Sequence, residues 1–272
     1  MTTPITRRHC LATLPLLSGA AALASPARAL VQPSDSPAPS PSDSFPAQDP
    51  ALAREIVGAS HRDIDRVAAL LKAAPRLANA TWDWGFGDWE TALGAASHTG
   101  RRQIAALLID HGARPDIFAF AMLGRLDAVK AMIEAQPGLE RTRGPHSLTL
   151  MHHAKAGGPE SAAVVEYLTK LGEADIAVPD LALSDEERRA VLGEYSYGPR
   201  PDQRFKVFTR ERDNALMLQR GEGSSLVLRH QGSRVFSPPG APEVRIVFTT
   251  ESGYAASVTI TSPAPVITAR RV

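Results

Sequence analysis

The chain has 272 residues and is 43% hydrophobic, enough to build two modest cores. Its formal net charge is +1, and loss of residues 1–29, which carry Arg7, Arg8 and Arg28 and no acid, leaves 27 basic residues against 29 acidic ones. No basic excess then remains to draw the chain onto nucleic acid or an anionic membrane. The one cysteine, Cys10, lies in the same segment, so no disulfide, thiolate nucleophile or cysteine metal ligand is expected beyond it.

Residues 1–29 have a basic start, an apolar stretch from Leu11 to Ala24 and a small-x-small site at Ala27-Arg28-Ala29. This pattern predicts a secretory signal peptide. The apolar stretch is too short to span a bilayer stably. Thr6-Arg7-Arg8-His9-Cys10-Leu11 resembles the twin-arginine export motif, with Cys10 where phenylalanine is usual. The resemblance implies export in the folded state and a periplasmic location. Residues 30–50 are rich in Pro, Ser and Asp and predict a disordered linker.

From 51 to 176 the pattern is helical and repeats itself. SHRDIDRVAALL (60–71), HTGRRQIAALLI (98–109), MLGRLDAVKAMI (122–133) and PESAAVVEYL (159–168) each run from a turn residue into an apolar stripe. Leu70, Leu108, Met132 and Leu168 take the same place in each. The stretch ETALGAASHTGRRQIAALLIDHGARPD (90–116) resembles an ankyrin repeat through Thr91, Leu93, Ala96, Gly100, Leu107, Leu108, Gly112 and Ala113. TLMHHAKAGG (149–158) resembles another through Thr149, Met151, His152, Ala154 and Gly158. The resemblance implies an all-α ankyrin-repeat stack over 51–176, whose repeats bury their apolar faces only by stacking. It also implies structural roles for Thr91, Gly100, Gly112, Gly158 and His152, the last tying neighbouring loops by hydrogen bonds. The pair His152-His153 is therefore not read as a metal site. His61, His98, His111 and His146 are dispersed, with no carboxylate at ligand-like spacing, and no metal or cofactor is expected.

All three tryptophans fall within WDWGFGDW (82–89). In an ankyrin array this stretch would be the hairpin finger beside the concave surface. Two readings stay open. The cluster packs as a cap on the first repeat, or Trp82, Trp84, Phe86, Asp88 and Trp89 grip a partner or a small ligand. Of these, Trp84 sits between two turn signals and is expected to be the most exposed.

Residues 177–203 read as a connector with one short helix, which Ser184 and Glu187 start at capping-box spacing. From 204 to 272 the period is two. RFKVFT, NALMLQ, SSLVLRH, RVFS, VRIVFTT, AASVTI and PVITARR are strand candidates, with GEGSS (221–225) as a hairpin turn. They predict a small antiparallel β-sandwich or open β-barrel, which with the helical stack makes the expected fold α+β and multidomain. LGEYSYG, FKVFTRERDNALMLQ, the Gly232–Phe236 step, VRIVF and the closing ARRV resemble the small all-β domain appended to beta-lactamase-related serine hydrolases.

No S-x-x-K, G-x-S-x-G, H-E-x-x-H or phosphate-binding glycine loop is present. The sequence thus points to a non-enzymatic periplasmic module that binds another exported protein. The alternative is an accessory protein of a hydrolase system, or a small-molecule binder, acting through the β domain. Its candidate residues would be Tyr195, Tyr197, Arg204 and His230.

Overall fold

The computed structural model describes residues 43–221, 225–262 and 264–272. The expected signal peptide, its twin-arginine motif, Cys10 and most of the linker lie outside them. The described chain belongs to one compact unit that begins at Pro41. No helix among the described residues is long and apolar enough to cross a membrane.

The first half is built from short helices in pairs. They are α1 (Pro50–Ala59) with α2 (Ile64–Ala73), α3 (Ala92–His98) with α4 (Arg102–Asp110), α5 (Ile117–Met122) with α6 (Leu126–Ala135), and α7 (Leu150–Ala156) with α8 (Ala162–Leu171). The first members of the pairs, α1, α3, α5 and α7, also pack on one another in order. The starts of five helices are set locally. Asp49, Asp63, Thr91, Asp116 and Thr149 each accept a backbone N–H with the side chain at the helix start. Gly100 is forced twice over: its φ is +69°, and a Cβ there would meet the Ala156 carbonyl oxygen. Gly112 and Gly158 also have positive φ but open surroundings. Between the first two helix pairs the chain forms a two-stranded ribbon, β1 (Thr81–Asp83) against β2 (Trp89–Thr91).

A further helix, α9 (Asp185–Val191), begins in the predicted capping box of Ser184 and Glu187. It leads into one antiparallel nine-stranded sheet. The strands are β3 (Gly193–Ser196), β4 (Arg204–Arg210), β5 (Ala215–Arg220), β6 (Ser225–Val227), β7 (Arg229–Gly232), β8 (Val235–Ser237), β9 (Arg245–Glu251), β10 (Tyr254–Ser262) and β11 (Ala264–Arg271). Their order across the sheet is β6-β5-β4-β3-β11-β10-β9-β8-β7. Its two edge strands, β6 and β7, are separated in the chain by Leu228 alone. The sheet therefore curls almost closed, which leaves little free edge. Its interior packs Tyr195, Phe205, Phe236, Ile246, Phe248 and Val258.

This corrects the expected fold class. The molecule is not an all-α ankyrin-repeat stack followed by a small β-sandwich or open barrel. It is an α+β fold of short helices with a large, nearly closed antiparallel sheet as its dominant element. The helical period over 51–176 hides the ribbon, because Thr81–Asp83 and Trp89–Thr91 are too short to show an alternation. Alternation identifies the later strands one by one, whereas they hydrogen-bond into a single surface. Tyr195, read in a connector, supplies β3, the strand that joins β4 to β11. SSLVLRH, read as one strand, turns a corner at Leu228 and contributes to both edges.

The loop between β1 and β2 joins the two halves. Trp82 and Trp84 pack on the helical core, and Phe86 packs on the core of the sheet. A cavity of about 430 Å³ lies between them, lined by Trp82, Trp84, Phe86, Phe205 and Leu226 among others. The aromatic cluster is thus a seam between helices and sheet.

Candidate metal centre

Successive residues of a strand face opposite sides. On β2 this leaves Trp89 61% exposed and buries its neighbour Glu90 completely. A buried carboxylate is costly unless it is paired, and Glu90 is surrounded. Its Oε2 accepts the Trp84 indole N–H at 2.7 Å and lies 3.5 Å from His61 Nε2. Its Oε1 lies 2.9 Å from His98 Nε2 and 3.4 Å from His146 Nε2. Trp84, expected to be the exposed fingertip, is instead half-buried and oriented by this bond; the exposed tryptophan is Trp89.

The three histidines come from three places. His61 follows α1, His98 closes α3, and His146 sits in the turn before α7. His61 Nδ1 lies 3.1 Å from the Val57 carbonyl oxygen and 3.2 Å from that of Gly58. Donation there fixes the tautomer that turns a bare Nε2 toward Glu90. His146 is held more firmly. Asp88 accepts its backbone N–H at 2.8 Å and its Nδ1–H at 2.7 Å, which again directs Nε2 inward. His146 and Ser147 have φ of 58° and 55°, a left-handed pair of non-glycine residues. Such backbone strain persists only where the surroundings over-determine it. Asp88 is held in turn by a close approach of the chain, because a Cβ on Gly240, in the loop before β9, would collide with its carboxyl group.

One ligand atom from each of His61, Glu90, His98 and His146 lies within 4.8 Å of all the others. Around a tetrahedral ion with bonds of 2.0–2.1 Å, neighbouring ligand atoms stand about 3.3 Å apart. The two separations from Glu90 Oε1, 2.9 and 3.4 Å, bracket that value, while His61 approaches the other oxygen at 3.5 Å. His98 Nε2 and Glu90 Oε1 are close but not aligned as a hydrogen bond, and both are buried without any hydrogen-bond partner among the described residues. They are two of seven such atoms among the described residues, and they lie 2.9 Å apart. A proton shared across the 2.9 Å, or a cation held by the ligand set, would satisfy both.

The electrostatics of the metal-free cluster are polarised. Burial pushes Glu90 up, but the contacts from His146 and His98 outweigh it and hold the carboxyl at about 2. Burial pushes His146 down, but the Asp88 and Glu90 carboxylates raise it to about 10. His61 is lowered, chiefly by burial.

A fourth histidine backs the cluster. His153 is fully buried, 2.9 Å by Nδ1 from Ser97 Oγ, whose hydroxyl donates to the Phe118 carbonyl at 3.0 Å. Burial, with neighbouring histidines, lowers it to about 3. A histidine depressed in the fold takes up its proton only on unfolding, so the unfolded chain binds more protons between about pH 6.5 and 3. The metal-free protein should therefore lose stability as pH falls through that window, by up to about 1.4 kcal/mol per pH unit from this group. Urea midpoints measured from pH 7 to 4 should fall less steeply in His153→Leu. Parallel slopes would contradict the assignment.

The other residues singled out by the sequence lie elsewhere. His152 is exposed, and its Nε2 meets the His98 carbonyl oxygen at 3.1 Å, a loop-tying contact. Thr91 caps α3. His111 bonds its own helix through the Leu107 carbonyl. Tyr195 is buried with its hydroxyl on the Val191 carbonyl, and Tyr197 stacks on Phe205. Arg204 is exposed, and His230 is buried beside Phe236. The structure does not gather Tyr195, Tyr197, Arg204 and His230 into a site. Sequence reasoning misses Glu90 altogether and dismisses His61, His98 and His146. The one available signal is the alternation of Asp88 and Glu90 around Trp89, which places both acids on the inner face.

Comparison with protein-family models, curated proteins and solved structures finds no match for this chain.

Proposed function

We propose that the chain is a metalloprotein that holds a divalent first-row transition ion, zinc being the simplest case, on His61, Glu90, His98 and His146. The observation that carries this reading is the convergence of three histidines on one fully buried carboxylate, with a ligand atom from each residue within 4.8 Å of the others. Three imidazoles and one carboxylate suit zinc, copper, iron or nickel better than calcium or magnesium, which prefer all-oxygen sets. Outer partners of the kind that orient metal ligands are present: Asp88 on His146, and the Val57 and Gly58 carbonyls on His61. Two of the ligands, His61 and His146, are partly exposed and line a cavity. An ion here would be reachable by a small molecule.

Dialysis of the purified protein against cobalt(II) tests this. The expected result is one cobalt per chain, with intense visible absorption between about 500 and 650 nm, the signature of a four-coordinate site. Binding to scattered surface groups, with only the weak bands of aqueous cobalt, would contradict it. The alternative of a protein-binding surface on the aromatic loop is less well supported, because Trp84, Phe86 and Asp88 are committed to internal contacts.

A further inference from the structure

The cavity that reaches the ligand set has a volume of about 570 Å³, within the range of small-molecule sites. Its walls divide by chemistry. His61 and His146 present the metal end. Trp84, Leu148, Leu226 and Val227 form an apolar side. Arg62, in the turn after α1, and Arg229, on β7, also line it, and both carry guanidinium groups. Among the described residues no carboxylate pairs with either of them. Asp88 lines the same cavity, but both of its oxygens are occupied by His146.

Resting on the metal reading above, we infer that this cavity binds a small organic acid. Its carboxylate is taken by Arg62 and Arg229, its apolar body lies against Trp84 and Leu226, and a second polar group reaches the metal. The charges favour an anion. A divalent ion is neutralised by Glu90 and Asp88, and the two arginines then leave the pocket positive. Guanidinium forks match a carboxylate in geometry as well as charge. An arginine at each of two separate chain segments also makes the pocket a joint product of helices and sheet. Neither half carries it alone.

Two probes test the inference on the cobalt-loaded full chain: benzohydroxamate, and 4-carboxybenzohydroxamate, which adds one carboxylate to the same metal-binding group. Perturbation of the cobalt absorption reads contact with the metal, and quenching of tryptophan fluorescence reads occupancy of the pocket. The carboxylated probe should bind about tenfold or more tightly than the neutral one. The preference should vanish in the double variant Arg62→Ala, Arg229→Ala, with the cobalt spectrum of the unliganded protein unchanged. Equal binding of the two probes to wild type, with the cobalt bands intact, would overturn the organic-acid pocket and leave the metal centre standing. Absence of the cobalt bands in wild type would overturn the metal centre, and this inference with it.

Discussion

Replacing Glu90 by alanine is expected to weaken zinc binding at least about a hundredfold, beyond the ten- to hundredfold typical of losing an outer-sphere partner. Glu90 is the only carboxylate in the ligand set and touches all three histidines as well as Trp84. Its removal leaves three imidazoles facing a void and deprives His146 of one of its two carboxylates. In the metal-free protein the same change breaks a buried charge network, which costs about 3–5 kcal/mol when one partner is removed. Glu90→Gln separates the two effects. It keeps the volume and an oxygen for the Trp84 N–H but removes the charge. Its metal affinity should fall strongly while more of the fold's stability is retained than in Glu90→Ala. Trp89→Ala, on the exposed side of the same strand, should leave affinity unchanged. Competition with a chromophoric zinc chelator reads each case. Wild-type affinity in both Glu90 variants would mean that zinc binds elsewhere.

The second large effect is expected far from the ligands in sequence. Gly240→Ala places a methyl group against the Asp88 carboxyl, which has no room to receive it. Asp88 holds His146 by two bonds, so displacing it releases the ring whose Nε2 completes the ligand set. Zinc affinity should fall about ten- to hundredfold, the range for disturbed outer-sphere partners. Overpacking should also destabilise the fold by about 1–3 kcal/mol. A Gly240→Ala, Asp88→Gly double variant makes the case specific. The added Cβ would meet Asp88 Cβ as well as its carboxyl group, so only loss of the whole side chain clears the clash, and stability should then partly recover while affinity stays low. If Gly240→Ala keeps wild-type affinity, Asp88 is not the positioning residue for His146.

Local chemistry makes parts of this fold readable. The Ser184–Glu187 capping box, the period of two after residue 204 and the turn at Gly100 each follow from nearest-neighbour rules, and each is present. Closure of the sheet is not readable, because it depends on which strand pairs with which. Only the pairing of β3 with both β4 and β11 turns separate hairpins into one surface. The site is less legible still. Positions 61, 90, 98 and 146 have no common spacing, and they meet only because α1, α3 and the turn before α7 crowd against β2. Asp88 and His146, 58 residues apart, illustrate the difficulty. The aromatic run, by contrast, announces itself by composition, and only the direction of Trp84 is misjudged. Its residues read equally as a packing cap or a gripping surface, and Trp84 and Phe86 turn inward to set the buried carboxylate and the seam, while Trp89 stays exposed.

The most direct measurement is X-ray absorption at the zinc edge of protein loaded with one equivalent of zinc and then desalted. We expect a first shell of four nitrogen and oxygen atoms at about 2.0–2.1 Å, with the outer-shell scattering of about three imidazole rings. Loss of the imidazole component in His98→Ala should be partial, by about one ring in three. A zinc ion lost on desalting, or an all-oxygen shell without imidazole scattering, would contradict the metal centre.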